Sequence, residues 1–187
     1  MKIIHIVLGR ANPNRMNGVN RVVHNLATAQ KELGVDVLVW GITKSAMSPD
    51  EGVLRKYDVA WFLPTSFVFG INSKLKTAIK KQKNTVFHLH GGFIPVFFSL
   101  SLLLKKLKKE YFITPHGTYT VGAMSNNSLI KKWYFTFLEK KLIVNAKSVQ
   151  CLGHAEESDL VNICQKAQIT LIPNGQNWDE LTTSKIT

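Results

Sequence analysis

The stretch 85–117, TVFHLHGGFIPVFFSLSLLLKKLKKEYFITPHG, holds two short apolar segments on either side of a longer apolar one. Thr85–Leu89 and Tyr111–Thr114 have the length and composition of buried strands, and Ile94–Lys109 has the length of a helix. A strand, a helix and a second strand in this order predict a βαβ unit with parallel strands. Sheets built from such units bind ligands at the carboxyl ends of the strands, where the βα loops line up.

The same alternation extends in both directions along the chain, and it predicts an α/β protein. Near-continuous Val, Ile and Leu in the strands favour a parallel sheet that is buried on both faces, with helices on both faces. We found no internal repeat. The predicted strands are Lys2–Leu8, Val35–Trp40, Val59–Leu63, Ser148–Leu152 and Ile169–Ile172, and the predicted helices are Gly18–Leu33, Asn72–Gln82, Leu129–Asn145 and Ala155–Gln165.

The charge of the chain is concentrated in its middle. The 187 residues include 24 Lys and Arg against 12 Asp and Glu, which gives a net charge of +12. Residues 74–147 contain 14 Lys and only two acids, so this segment alone carries the whole excess. A concentrated basic surface favours an anionic partner such as a phosphate, a nucleic acid or a membrane surface.

The sequence excludes a P-loop site and disfavours several other common site types. The first loop lacks the glycine fingerprint of dinucleotide-binding folds and the second strand is not followed by the expected acid, and no P-loop motif occurs. No Asp-x-Asp motif is present, and Cys151 and Cys164 do not have zinc-site spacing. The acids Glu156, Glu157 and Asp159 sit at a predicted helix start, where they are expected to complement the helix dipole.

Two features bear on the compartment. Two cysteines do not form a disulfide framework, and we expect both to be buried thiols. The apolar segments fall short of the ~20 residues that a membrane span needs, and no N-terminal signal is visible. We therefore expect a cytoplasmic protein, with the cytoplasmic membrane face as an alternative location.

Asn17 and Gly18 open the first predicted helix after a long loop. A glycine lets a ligand approach the backbone closely, and free N–H groups at a helix start favour phosphate. A simple turn into the helix is the alternative interpretation.

His88 and His90 end a predicted strand just before Gly91 and Gly92. We expect the two rings to point to opposite faces of the sheet, so that they cannot readily chelate one metal ion. One ring would then face the cleft, and the other would be a core or supporting histidine.

His116 follows the next predicted strand and precedes Gly117. We expect it beside the Asn17-Gly18 turn, where a histidine can hydrogen-bond a sugar hydroxyl or a phosphate. A structural histidine that caps a loop is the alternative.

Taken in order, these motifs resemble the N-terminal domain of family 4 glycosyltransferases of the GT-B fold. The matching features are the Asn17-Gly18 loop, His88-x-His90-Gly91, Thr114-Pro115-His116-Gly117, Ser148-Val149-x-Cys151 and Ile172-Pro173-Asn174-Gly175. The resemblance covers residues 1–177, and 178–187 would be a tail or the start of a linker.

The resemblance implies transfer of a sugar from a nucleotide-sugar donor, with retention of configuration and without a metal or other cofactor. It implies that Asn17 and Gly18 approach the donor diphosphate. It also implies that His116 is catalytic, stabilising charge as the leaving phosphate departs. His88, His90, Gly91, Gly92 and Gly117 would line the cleft or the acceptor side.

In this family the Ile-Pro-Asn-Gly turn leads into a second domain that holds the nucleotide. Here the sequence continues for twelve residues after Gly175. We therefore expect the chain to be inactive unless a C-terminal donor domain is supplied in cis or in trans, as in a split enzyme.

The lysines indicate an anionic membrane surface, because family members that use lipid-linked acceptors commonly sit on membranes. A solvated surface without a partner and a non-catalytic membrane- or partner-docking module are the alternatives. No RNA-binding signature is present, so nucleic acid is not expected. The candidate membrane-surface residues are Lys74, Lys76, Lys80, Lys81, Lys105, Lys106, Lys108, Lys109, Lys131 and Lys132.

Overall fold

The computed structural model describes residues 1–14, 18–47, 52–125 and 129–175 of the chain. Within these residues, seven strands form one sheet in the order β3-β2-β1-β4-β5-β6-β7. Every neighbouring pair is parallel. The strands are β1 (Lys2–Leu8), β2 (Asp36–Ile42), β3 (Asp58–Phe62), β4 (Thr85–His90), β5 (Tyr111–Thr114), β6 (Ser148–Cys151) and β7 (Ile169–Leu171).

The helices connect these strands. They are α1 (Gly18–Glu32), α2 (Ser73–Lys81), α3 (Pro95–Lys106), α4 (Val121–Ser125), α5 (Leu129–Tyr134), α6 (Lys140–Asn145) and α7 (His154–Ile163), and a π-helical turn (Phe135–Glu139) joins α5 to α6. The α/β class with parallel strands that the sequence predicts is confirmed.

The helices divide unequally between the two faces of the sheet. The apolar side of α1 packs with Val37 and Val39 of β2 in a small core, whereas the buried residues of α2, α3, α6 and α7 belong to a larger core on the opposite face. The right-handed crossover rule explains this division, since strand order runs one way from β1 to β3 and the other way from β4 to β7. Helices therefore lie on both faces, as expected.

The largest differences from the sequence expectation are in helix continuity. The predicted helix Ile94–Lys109 is shorter, because Pro95 starts α3 and Lys108 adopts a positive φ of 51°. The predicted helix Leu129–Asn145 is present, but it contains the π-helical turn. The short α4 was not predicted, since five residues carry no readable periodicity.

The loop after β1 is held by close backbone packing. A side chain at Gly41 would come within 2.1 Å of the Gly9 carbonyl oxygen, so β2 can lie this close to the loop only with a glycine at position 41. The buried Asn20 side chain of α1 accepts a hydrogen bond from the Ala11 N–H at 2.8 Å and donates to the Leu8 carbonyl at 3.4 Å. These contacts fix the start of α1 relative to the carboxyl end of β1.

Candidate active site

The strand order reverses between β1 and β4, and the carboxyl ends of these two strands border a crevice. Open parallel sheets bind ligands at such a reversal. The loops that follow β4 and β5 meet here, and the backbone N–H of Gly91 donates to the Thr114 carbonyl at 2.8 Å. The predicted histidines of β4 and of the β5 loop therefore come to one edge of the sheet.

His88 and His90 lie on the same face of the sheet, so the expectation of opposite faces was wrong. Residues two apart on a strand share a face, because side chains alternate with a period of two. The two ring centroids are 4.1 Å apart. His5 of β1, which lies directly opposite His88 in the parallel register, joins them with its ring 5.0 Å from that of His90.

A continuous line of hydrogen bonds joins three histidines to a glutamine of α1. Gln30 Oε1 lies 2.7 Å from His5 Nε2, and His5 Nδ1 lies 2.8 Å from His90 Nε2. His90 Nδ1 in turn lies 3.2 Å from His116 Nε2. The line runs from the buried interior to the β5 loop and ends at His116, for which the family resemblance implies a catalytic role.

His88 belongs to a second, separate branch. Its Nε2 lies 2.7 Å from the Thr114 hydroxyl, which donates to Gln150 Oε1 at 3.1 Å. Gln150 Nε2 donates to the Ile172 carbonyl at 2.9 Å. This branch ties β4 to β5, β6 and the turn after β7.

Burial keeps the histidines of the cluster neutral at pH 7. Loss of solvation lowers the pKa of His5 to about 4, and the hydrogen bond that Gln30 Oε1 accepts from the ring only partly opposes this. The same cause lowers the pKa of His116 to about 4. The pKa values of His88 and His90 lie well below their ordinary value, first through burial and then through the neighbouring histidines.

The loop after β5 holds His116 in an unusual backbone conformation. His116 and Gly117 both have positive φ angles, of 55° and 78°. The carboxylate of the buried Glu156 in α7 accepts the Gly117 N–H at 2.6 Å and the Leu152 N–H at 2.9 Å. Glu156 is thus a brace for the loop, a role that dipole complementation alone does not describe.

The predicted glycines fall into two groups. A side chain at Gly91 would meet Ile94 at 2.7 Å, and one at Gly92 would meet Thr118 at 2.2 Å. These two glycines serve packing within the loops. In contrast, open space of at least 4 Å surrounds the positions where Gly18 and Gly117 would carry a side chain. Gly18 starts α1 and is exposed, and Asn17 lies outside the described residues.

The nitrogen atoms of His5, His88 and His90 lie within 4.8 Å of one another. Neutral imidazoles at this spacing can bind a transition metal. In this structure, however, His5 and His90 are hydrogen-bonded to each other and His88 is bonded to Thr114. Metal binding would have to break these bonds.

Comparison with known proteins identifies the family of this chain. A model of Glycosyltransferase Family 4 matches residues 16–179 of the sequence. The chain belongs to glycosyltransferase family 4. A comparison with curated protein sequences returned no match.

Two solved structures have a similar fold. Anabaena Alr3699/HepE in complex with UDP and glucose is 12% identical, with a TM-score of 0.65, and the same protein in complex with UDP is 10% identical, with a TM-score of 0.62. The matches cover 96% of this chain but only 46% and 45% of those chains. This family 4 chain therefore spans less than half the length of these structures, and its Rossmann-like α/β fold is confirmed.

The candidate membrane lysines do not form one surface on this family 4 domain. Lys80 and Lys81 end α2, and Lys105 and Lys106 end α3. Since helices in βαβ units run antiparallel to the strands, these ends lie at the amino edge of the sheet, away from the histidines. Lys109 donates to the Gln82 carbonyl there.

Lys131 and Lys132 lie on α5, which extends away from the carboxyl edge of the sheet. Lys131 Nζ donates to the Ala123 carbonyl at 2.7 Å and sits 4.8 Å from the Phe93 ring. Lys132 is exposed beside three exposed apolar residues: Leu129 (85% exposed), Ile130 (77%) and Trp133 (59%). We call Leu129, Ile130, Lys132 and Trp133 the α5 patch.

Sequence reasoning missed two participants in the site. His5 looked like part of an ordinary buried strand, and Gln30 like a polar residue on the exposed side of α1. A histidine in the middle of an otherwise apolar strand was the available signal, because a buried polar ring needs hydrogen-bond partners.

Proposed function

We propose that this chain is the acceptor-side half of a retaining glycosyltransferase. It would transfer a sugar, of the hexosyl type, from a nucleotide-sugar donor to a glycan or a polyprenyl-linked acceptor in cell-surface polysaccharide or lipopolysaccharide synthesis. The single observation that carries the proposal is the position of His116. It lies in a braced loop at the carboxyl edge of the sheet, beside the reversal in strand order.

Family membership and the structural relatives support a nucleotide-sugar donor. Both structures of the relative are complexes with UDP, and one of them also contains glucose. The exposed start of α1 at Gly18 would face the donor diphosphate with its N–H groups, which needs no metal ion. We propose that Asn17, which lies outside the described residues, also approaches the diphosphate, as the resemblance implies.

The site suits a hydrogen-bonding role for His116 better than a cationic one. A neutral imidazole offers one donor and one acceptor, and either can hold a hydroxyl of the bound sugar. The open space beside Gly117 leaves room for that sugar. His88 and His90 would act behind His116, and Gly91 and Gly92 would shape the loop without touching the ligand.

The activity test needs a C-terminal donor-binding domain, supplied by fusion or as a separate chain. A panel of nucleotide sugars would be incubated with a polyprenyl-diphosphate sugar, and the product's anomeric configuration read by NMR. The proposal predicts one productive donor, retained configuration and activity that survives a metal chelator. Transfer or donor hydrolysis that stops when a metal chelator is added would contradict the proposal that the reaction needs no metal ion.

A peripheral membrane location is a second proposal, and the α5 patch favours it. Apolar side chains and Trp beside a lysine suit the interface of an anionic bilayer, where each lysine adds about 1 kcal/mol. None of the helices in the described residues has the length and apolar character needed to cross a bilayer. We propose the cytoplasmic face as the location, which brings the active site near a lipid-linked acceptor.

Vesicle co-sedimentation tests this location with matched variants. Lys132→Glu should weaken binding to phosphatidylserine vesicles several-fold, whereas Lys106→Glu at the opposite edge should not. Ile130→Ser should weaken binding, and Leu54→Ser, at a similarly exposed apolar residue elsewhere, should not. Binding without lipid-charge dependence would reject the proposal. If binding persists but no donor is turned over, the alternative of a non-catalytic docking module stands.

A further inference from the structure

The line of hydrogen bonds from Gln30 to His116 has a direction, and this direction has a chemical consequence. A neutral imidazole carries one N–H and one lone-pair nitrogen, so each ring in a chain must accept on one side if it donates on the other. In three rings in series, the direction of the first hydrogen bond therefore determines which nitrogen carries the hydrogen in every ring. A group that determines the tautomer of the first ring also determines that of the last.

We propose that Gln30 fixes the tautomer of His116 through His5 and His90. In this structure the amide of Gln30 presents its carbonyl oxygen to His5 Nε2 at 2.7 Å, and this oxygen can only accept, so His5 carries its hydrogen on Nε2 and accepts on Nδ1. His90 must then donate from Nε2 and accept on Nδ1, and His116 must donate from Nε2. The result is a lone pair on His116 Nδ1, the ring nitrogen not used in the line.

The surroundings of the line support this arrangement. His5 and His90 are 0% and 2% exposed, so water does not compete for their nitrogens. The neighbouring titratable groups are His88 from β4 and Glu156 from α7. His88 is bonded to Thr114 and Glu156 to Gly117 and Leu152, so neither replaces a link in the line. The depressed pKa values of all four histidines keep the rings neutral, as the alternation requires.

A lone pair at His116 Nδ1 selects the chemistry of what binds there. It accepts a hydrogen bond from a hydroxyl group, and it repels a phosphate oxygen, which has no hydrogen to give. This assigns His116 to a sugar hydroxyl and leaves the diphosphate to other groups. This step rests on the proposed function, whereas the tautomer itself does not. Gln30, His5 and His90 are positioning residues that act through His116.

The tautomers can be read on the whole 187-residue chain without any assay of transfer. Two-bond ¹H–¹⁵N correlation spectra of the ¹⁵N-histidine-labelled protein at pH 7 distinguish the protonated nitrogen from the lone-pair nitrogen in each ring. The expected result is an Nε2–H tautomer for His5, His90 and His116 alike. An Nδ1–H signal for His116 would overturn the proposal.

Variants of Gln30 test whether α1 determines the tautomer. Gln30→Met keeps the size of the side chain but removes the acceptor, and His116 should lose its single-tautomer signature while His88 keeps its own. Gln30→Glu keeps an acceptor in place and should preserve the His116 tautomer. Asn25→Met, at an exposed position of the same helix, is the matched control and should change nothing.

The two levels of the proposal fail separately. If His116 shows the same tautomer in Gln30→Met as in the original chain, the relay is wrong, whatever the enzyme does. If the spectra follow the prediction but no nucleotide sugar is turned over by the assembled protein, the relay stands and the proposed function fails. A backbone amide spectrum of each variant establishes that the fold is retained.

Discussion

Acidification should destabilise this protein through its buried histidines, and the structure gives the size of the effect. In the unfolded chain a histidine binds a proton below about pH 6.5, whereas burial lowers the pKa of folded His5 and His116 to about 4. Between these values the unfolded state binds more protons, so stability falls as the pH falls. At pH 5 each fully buried group removes about 2 kcal/mol relative to pH 7.

One buried carboxyl group acts in the opposite direction. Burial raises the pKa of Glu139 to about 7, while the Tyr119 hydroxyl, which donates to the Glu139 carboxylate, pulls it down. The folded state then holds a proton that the unfolded state has lost, so acid stabilises the protein through this group. Between pH 7 and pH 5 the gain is about 2 kcal/mol, which hides part of the histidine effect.

The variant Glu139→Gln separates the two contributions because it replaces the titrating group with a neutral one of the same shape. Urea unfolding of both proteins at pH 7 and pH 5 gives four free energies of unfolding. The variant should lose about 3–4 kcal/mol between the two pH values through His5 and His116 alone, with His116 giving less than His5 because part of its ring meets solvent. The total loss should be larger, because burial also lowers the pKa values of His88 and His90. The original chain should lose about 2 kcal/mol less. A variant whose stability is flat or rises on acidification would refute the assignment of buried, neutral histidines.

Two further predictions concern the loops of the site. Glu156→Gln should cost about 1–3 kcal/mol, because its amide nitrogen would oppose one of the two backbone N–H donors. Chemical denaturation measures this cost. The control is Glu157→Gln, the neighbouring residue of α7, whose carboxylate contacts the exposed His154 ring and, among the described residues, no loop N–H. Gly92→Ala should destabilise the fold by about 1–3 kcal/mol through its clash with Thr118. Gly18→Ala should change the free energy of unfolding by no more than about 0.5 kcal/mol, but it should weaken nucleotide-sugar binding. Equal thermal stability of the two alanine variants would contradict the division of the glycines into packing and ligand-facing groups.

The fold was largely predictable from the sequence because the pattern of apolar residues indicates the lengths of the strands and helices. β1, α1 and β5 fall where the periodicity predicts them, and Pro95 marks the start of α3. The π-helical turn between α5 and α6 could not be predicted, since it changes the hydrogen-bond step without changing the residues' character. The separation of the lysines between two edges follows from helix direction and was readable only once the topology was known.

The site was predictable only in part, because its residues come from distant positions. His88, His90 and His116 stood out as polar residues at strand ends, but their shared face depends on a two-residue period that was misread. His5 and Gln30 join them through parallel register and through packing of α1, which no local pattern reports. Glu156 braces the β5 loop across 39 residues of sequence, and only the folded chain brings its carboxylate there.

The most direct test of the central claim compares two histidine variants in the transferase assay. The chain, combined with a C-terminal donor domain, would be assayed with its productive nucleotide sugar as the original sequence, as His116→Ala and as His154→Ala. His154 is 88% exposed at its side chain and lies at the start of α7, so it is a matched control. The account predicts a loss in kcat of about 100-fold or more for His116→Ala and none for His154→Ala. Unchanged turnover by His116→Ala would contradict it.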